Sequence, residues 1–584
     1  MRLKAFARLS PGGRRLIWGG ALLTLLVAAG TTAIGDVTEE AKRSQNERPE
    51  SFGLFAGPTA VLTGNQLQCG LVNQGEVCKD VFDSPTGNGG FWPVGSPNGY
   101  IFNTGLQIAG IIGEDGGPWA NDTVGAYFFD ARGNQRSGTS LTNIFVSSDP
   151  DDADNWPDEA RVTNTELFDT SLTDREDNRF ASQEDSWVQY WEGDPVRITN
   201  RAHPMGITAT QRSLAWNFPS GNESVLYFIY DFENVSNDED FQSLNEAAFF
   251  GGDAVLPDGG YTMNELFAAF STDMDVTLNA GENFSTAILP FDIGLSYHGG
   301  FNAPDFIFPP DLFFPPFFVD APGLIGVKYL KSPINPETGT EVGLTLFSNT
   351  QNPSSPGAQF IDPLGDKQLW RYLSGRLDPA QGDPPCNVEA SIITGDPRTT
   401  VRPLCFIFQQ AADTRFFQAS GPFSIGPGDI GTIVVAYIAA PTVSTAEITT
   451  QADPNANPPG QPSFHPEFPS ERGCDATGSN CVVSDPVNAV LPIERAAGWL
   501  TYINPPATIP GAIETADNKV DQRNVAVVPG SLLGRALVAQ TVFDSKFLLG
   551  SAPEPPPFYL IPGDEKVTII WDETPTEQTG DPFY

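Results

Sequence analysis

Histidine is nearly missing from this sequence: 584 residues contain three, His203, His298 and His465. None stands in an H-E-x-x-H pattern and no cysteine pair has C-x-x-C spacing, so a zinc site of the usual kinds is excluded. Positive charge is also scarce. Against 72 acidic residues there are 32 basic ones, a formal net charge of −40. That balance argues against nucleic acid or anionic lipid as a partner of the main body. Beyond the amino terminus no apolar run is long enough to cross a bilayer, so membrane contact is expected only through the first segment. Cysteine is sparse, at six residues. Glycine (58) and proline (52) are plentiful, yet below collagen or low-complexity levels, and 40% hydrophobic residues rule out a polar disordered chain.

What is present begins with export. Arg2, Lys4, Arg8, Arg14 and Arg15 precede an apolar run from Leu16 to Ile34 that ends in small residues. This is the layout of a secretory signal peptide; because its 19 residues just span a bilayer, an N-terminal membrane anchor is the alternative. The protein is therefore expected outside the cytoplasm: extracellular, at the cell surface, or in the periplasm. The cysteines fall in three close pairs: Cys69 with Cys78, Cys386 with Cys405, and Cys474 with Cys481. Six cysteines allow about 15 connectivities, and short loops on an exported chain favour the three local disulfides.

The chain then reads mostly as strand. Short β-branched and aromatic runs at 100–102, 106–112 and 124–129 are bounded by Gly, Asn and Asp. SVLYFIYDF at 224–232 is continuously apolar, as are 342–348 and 432–439, which suits strands buried on both faces. Helical signals are few. Thr262 and Glu265 form a capping box before Leu266–Phe270, and helix-compatible spacing recurs at 493–503 and 532–549, the latter with Ser531 as cap. The pattern predicts a mainly β, multi-domain antiparallel β-sandwich architecture with a few short helices and long Pro/Gly-rich loops. Its expected segments are the export signal or anchor (1–34), a polar linker (35–55), a β-rich domain (56–215) and a β-sandwich-like domain (216–441). A stapled loop with short helices (442–551) and a final β segment (552–584) complete it.

Each candidate site has a plainer reading beside it. Gly426, Gly428 and Gly431 satisfy G-x-G-x-x-G, but Pro427 lies inside the motif and a strand follows, so a turn fits better than a dinucleotide site. Ser296 and His298 lie two apart where a nucleophile elbow would need glycine at 298, so both read as ordinary strand residues. No catalytic or cofactor-binding residues emerge. The acidic stretch 149–159 is the metal candidate: Asp149, Asp151, Asp152, Asp154, Asp158 and Glu159 put six carboxylates in eleven residues. A flexible oxygen-rich loop of this kind suits Ca²⁺, although it lacks the EF-hand spacing. Trp156, Trp187, Trp191 and Trp216 would matter to a carbohydrate-binding face only if exposed. The segment 300–323 holds seven phenylalanines and six prolines, and is expected to lie extended across the β core, sealing a sheet edge or domain junction; the alternative is that several rings stay exposed and dock a partner such as another copy of the protein.

Several stretches carry a resemblance: Gly90-Phe91-Trp92-Pro93, Tyr100–Leu106, Gly125–Asp130, Ser182–Trp187, His203–Gly206, Gln211–Pro219, Leu369–Ser374 and Ser420–Phe423. Together they resemble a group of large, uncharacterised secreted bacterial proteins that often carry a fibronectin type III-like or other immunoglobulin-like module toward the carboxyl end. The resemblance covers most of 60–584 and implies export and architecture, with no particular activity. Pro555–Pro557, Pro562-Gly563-Asp564 and Val567–Asp572 look like the opening strands of such a module. A complete one needs about 90–100 residues, so the expectation is a chain that stops early in it, the alternative being a hairpin docked on the preceding domain. The resulting functional expectation is a secreted or cell-surface protein, non-catalytic, with a structural, adhesion or binding role toward other cell-surface proteins or carbohydrate. The alternative is a secreted hydrolase acting on polysaccharide or peptide, marked by two carboxylates about 5–10 Å apart in a cleft or by an oriented triad.

Overall fold

In the computed structural model of the chain, described residues run from 59 to 571. Within that span the described set leaves out 80–88, 96–98, 130–137, 164, 170–178, 193–203, 243–255, 277–282, 289–290 and 299–322. It also leaves out 353–357, 359, 385–411, 444–491, 503–524, 550–557 and 564–565. The phenylalanine-rich segment, His203, His465 and the amino-terminal signal therefore lie outside the described residues. So do four of the six cysteines, namely Cys386, Cys405, Cys474 and Cys481.

Two antiparallel sheets form the frame. The larger runs Asn283–Ile288, Ile293–His298, Leu324–Lys331, Ile430–Ala440, Val225–Asn234, Ile207–Ala215, Glu184–Trp191 and Thr139–Ser140, with Phe145–Val146 also paired to Glu184–Trp191. The smaller runs Leu346–Gln351, Thr414–Ile425, Met263–Asp273, Asn103–Ile112 and Thr123–Tyr127. The boundary expected at 215/216 falls inside the larger sheet, between two strands that pair from Ile207↔Asn234 to Ala215↔Leu226.

The sheets pack face to face. Leu106, Ile108, Leu266 and Phe270 of the smaller sheet share one buried cluster with Phe228, Tyr230, Val435 and Tyr437 of the larger. The Phe270 ring lies 5.3 Å from Tyr230 and 5.5 Å from Tyr437, inside the range where edge-on aromatic pairs attract. Each outer face is covered too. The helix Asp366–Ser374 lays Leu369, Tyr372 and Leu373 on the smaller sheet. The helix Leu532–Asp544 lays Leu532, Leu533, Ala536 and Ala539 on the larger. A sheet buried on both faces has no polar side to alternate with, which is why its central strands read as unbroken apolar runs. The fold is mainly β, of the sandwich class the sequence predicts.

The helices differ from expectation in two places. Residues 262–270 form no helix: Met263–Asp273 is the middle strand of the smaller sheet. Leu266, Ala268 and Phe270 face the inter-sheet core while Phe267 and Ala269 face the covering helix, so both faces of LFAAF are buried and its composition gave no period to read. Glu265, the would-be capping residue, sits at φ 43° within a bulge. Pairing on both sides outweighs one capping box. At 493–503 the helix Pro492–Ala496 stops before Gly498, whose φ of 105° only glycine adopts freely, and Trp499–Tyr502 continues as strand. By contrast, Ser531 caps Leu532–Asp544 as its sequence suggests, its hydroxyl accepting from Gly534 N at 3.1 Å. Gly426–Asp429 is the turn joining Thr414–Ile425 to Ile430–Ala440, with Gly428 at φ 84°, and Gly431 already lies in the second strand.

Of the three disulfides the spacing predicts, the described residues hold one. Cys69 and Cys78 form a bridge buried in the inter-sheet core, closing a nine-residue separation. The other two expected bridges, Cys386 to Cys405 and Cys474 to Cys481, fall wholly outside the described residues. A loop as short as that between Cys69 and Cys78 stabilises by about 2–3 kcal/mol in the chain-entropy picture. The Cys69→Ala, Cys78→Ala double variant should lose that amount in urea unfolding, and intact mass before and after reduction counts the bridges. A variant as stable as the parent would mean the bridge constrains nothing.

The last described element is a hairpin, Phe558–Gly563 paired to Lys566–Trp571. Phe558, Leu560, Val567 and Ile569 point to one side, Tyr559, Ile561 and Ile570 to the other, and all seven are 45–62% exposed.

Candidate metal centre

One end of the smaller sheet concentrates charge. Met263–Asp273 finishes there and Thr414–Ile425 starts there, so antiparallel pairing sets Asp273 beside Arg415 and Thr350 on the other side of Arg415. A parallel bridge from Gln351 to Ile361 delivers Asp362. Arg415 Nε donates to Asp273 Oδ2 and a terminal nitrogen donates to Asp362 Oδ2, both at 2.6 Å. Thr350 Oγ1 donates to Asp362 Oδ1 at 3.0 Å. Arg415, Asp273 and Asp362 are 4%, 3% and 1% exposed, so the charges meet in a dry setting where one lost partner is costly.

Two more carboxylates join them. In extended chain, alternate residues share a side, so Asp275 follows Asp273 and Asp413 precedes Arg415 on the same side. Carboxylate oxygens of Asp273, Asp275 and Asp413 all lie within 4.8 Å of one another. Asp413 Oδ2 accepts from Asn352 Nδ2 at 3.0 Å. Asp273 Oδ1 is buried and makes no hydrogen bond among the described residues.

The electrostatics follow from acids outnumbering the base. Burial, then the charges of Asp413 and Asp362, push the Asp273 carboxyl up to about 7 although Arg415 pulls it down. Burial works against the Arg415 charge as well, but Asp273, Asp362 and Asp413 outweigh it and hold the guanidinium above its ordinary range. Beside the cluster a cavity of about 10 Å³, lined by Asp362, Tyr372, Arg415 and Gln107 among others, has room for about one water.

The acidic loop that the sequence singles out is arranged otherwise. Asp149 caps the short helix Pro150–Asp154 through Asp151 N at 2.9 Å. Asp152 Oδ2 accepts from Val146 N at 3.0 Å, and its carboxyl is raised by burial and then by Asp149 and Asp151. Asp158 pairs with Arg161 at 2.8 Å. Trp156 anchors the loop among Phe145, Phe180 and Trp187. Asp149, Asp151, Asp152, Asp154, Asp158 and Glu159 are thus spread over two helical turns. Among the described residues, the group of three acids close enough to share an ion is Asp273, Asp275 and Asp413. Sequence reasoning missed it. Its only local traces are Asp273-Met274-Asp275 and Asp413-Thr414-Arg415, two alternate-residue pairs that strand pairing must bring together.

The other candidates resolve as structural. Ser296 and His298 are buried in the strand Ile293–His298, and Ser296 Oγ shares a 2.7 Å hydrogen bond with Ser285 Oγ across the sheet. Trp156, Trp187, Trp191 and Trp216 are all buried, so they form no carbohydrate platform. The chain matches no known protein family and no curated protein.

Proposed function

We propose that the protein is exported and non-catalytic, and that it works by binding another cell-surface protein. The observation that carries this reading is the hairpin Phe558–Trp571, with seven large apolar side chains open to solvent on its two sides. A two-stranded hairpin is barely stable alone, and a soluble protein seldom leaves such a patch uncovered unless something docks there. The exposed residues are mostly aliphatic, which suits an apolar protein face or a strand edge better than a sugar ring. The disulfide between Cys69 and Cys78 is in keeping with an oxidising compartment.

The test uses purified protein and the envelope fraction of the producing cell. Wild type should cosediment with the envelope, and protease treatment of the envelope should abolish this. The Leu560→Asp, Ile569→Asp variant should stay in the supernatant with an unchanged melting temperature. Equal sedimentation of both proteins overturns the binding role. Release of reducing sugars or free amines from polysaccharide or peptide substrates overturns the non-catalytic one.

A further inference from the structure

The cluster at the end of the smaller sheet gathers several carboxylates around one described guanidinium, Arg415. Arg415 is already shared between Asp273 and Asp362, and Asp275 and Asp413 bring two further carboxylates to within 4.8 Å of Asp273. Three carboxylate oxygens within 4.8 Å of one another repel unless something stands between them. One of the three residues carries a separate sign of what that is. Asp273 is only 3% exposed, yet its Oδ1 finds no donor among the described residues. A buried carboxylate oxygen ordinarily accepts a hydrogen bond or ligates a cation.

We propose that Asp273, Asp275 and Asp413 bind a divalent cation of the calcium type. All donors are hard carboxylate oxygens, with no nitrogen or sulfur among them, which selects Ca²⁺ over zinc or copper. Calcium–oxygen bonds of about 2.3–2.6 Å put opposite ligands about 4.6–5.2 Å apart, so oxygens within 4.8 Å of one another are close enough to converge on one such ion. Asp275 and Asp413 are only half-buried, which leaves an open side for water to complete six to eight ligands and for the ion to come and go. Magnesium demands tighter, near-octahedral geometry and is the weaker fit. The ion would tie the exit of one strand, Met263–Asp273, to the start of its neighbour, Thr414–Ile425, two stretches far apart in sequence. It acts beside Arg415, not in place of it.

The test is Ca²⁺ competition against a fluorescent chelator, using the full chain stripped of metal, with thermal unfolding in parallel at matched ionic strength. Wild type should bind Ca²⁺ more tightly than Mg²⁺ and melt at a higher temperature with it. Asp275→Asn and Asp413→Asn, each isosteric, should weaken Ca²⁺ by about tenfold or more, since fewer ligand charges lower affinity. The Asp151→Asn, Asp158→Asn variant of the acidic loop should bind as wild type does. Near-ultraviolet circular dichroism checks that each variant is folded, and the wild-type titration stands even if one is not. The proposal is overturned if wild type shows no Ca²⁺ binding beyond the salt effect. It is equally overturned if folded Asp275→Asn and Asp413→Asn variants keep wild-type affinity, or if the acidic-loop variant loses it.

Discussion

Arg415→Met should lower the stability of the protein by about 3–5 kcal/mol in urea unfolding at pH 8, among the largest effects of any single substitution here. The methionine keeps much of the volume and removes the charge, leaving Asp273 and Asp362 buried at 3% and 1% exposure without the guanidinium that bridges them. Breaking a buried pair from one side costs far more than the pair contributes, because the orphaned charge stays in a dry site. The pH dependence has a definite sign. The Asp273 carboxyl is raised in the folded protein from 3.8 to about 7, so its share of stability is present below the unfolded value and is lost as the pH climbs through 7. Without Arg415 that carboxyl holds its proton to higher pH still. The deficit of the variant should therefore shrink at pH 5 and widen toward pH 9. A variant within about 1 kcal/mol of wild type at pH 8 would mean that the cluster is solvated and its charges are not in contest.

Phe547→Ala should cost about 3–5 kcal/mol, with loss of near-ultraviolet signal from Trp216. Phe547 follows the helix Leu532–Asp544 and turns its ring into an aromatic nest: Trp216 at 6.2 Å and nearly parallel, Tyr227 at 5.4 Å, Phe168 at 5.6 Å and Phe543 at 5.8 Å. It adds to the hold of Leu532, Leu533, Ala536 and Ala539 on the larger sheet. Lys546 and Phe547 are left-handed, at φ 56° and 55°, a conformation that costs a non-glycine residue energy and persists only where packing demands it. Lys546→Gly, which relieves the strain without touching the nest, should raise stability by up to about 1 kcal/mol. If Phe547→Ala unfolds no more easily than wild type, the helix is held by its other residues.

Strands with a strong local signal were legible. Val225–Asn234 and Ile430–Ala440 follow from β-branched and aromatic runs, and the turn between Ile425 and Ile430 follows from its glycines and Pro427. The Ser531 cap was legible because capping is a contact between near neighbours. The bridge between Cys69 and Cys78 was legible for the same reason, its two ends being close in the chain. What failed was long-range. Leu266–Phe270 is apolar throughout, and only its two sheet neighbours decide that it is strand. The Asp273, Asp275 and Asp413 group needs the pairing Asp273↔Arg415, which no window of sequence contains. The acidic loop drew attention because its carboxylates are consecutive, yet consecutive acids on a short helix point apart.

The order of strands in the larger sheet also sets a clock. Val225–Asn234 lies between Ile207–Ala215, its close predecessor in the chain, and Ile430–Ala440, which is made some 200 residues later. At about 5–20 residues per second, ribosomes leave roughly 10–40 seconds between the two. Throughout that interval VLYFIYDF has one side unpaired, the kind of edge that recruits other strands. The larger sheet therefore cannot close during the synthesis of its first half, and its central pairing waits until Ile430–Ala440 has been made.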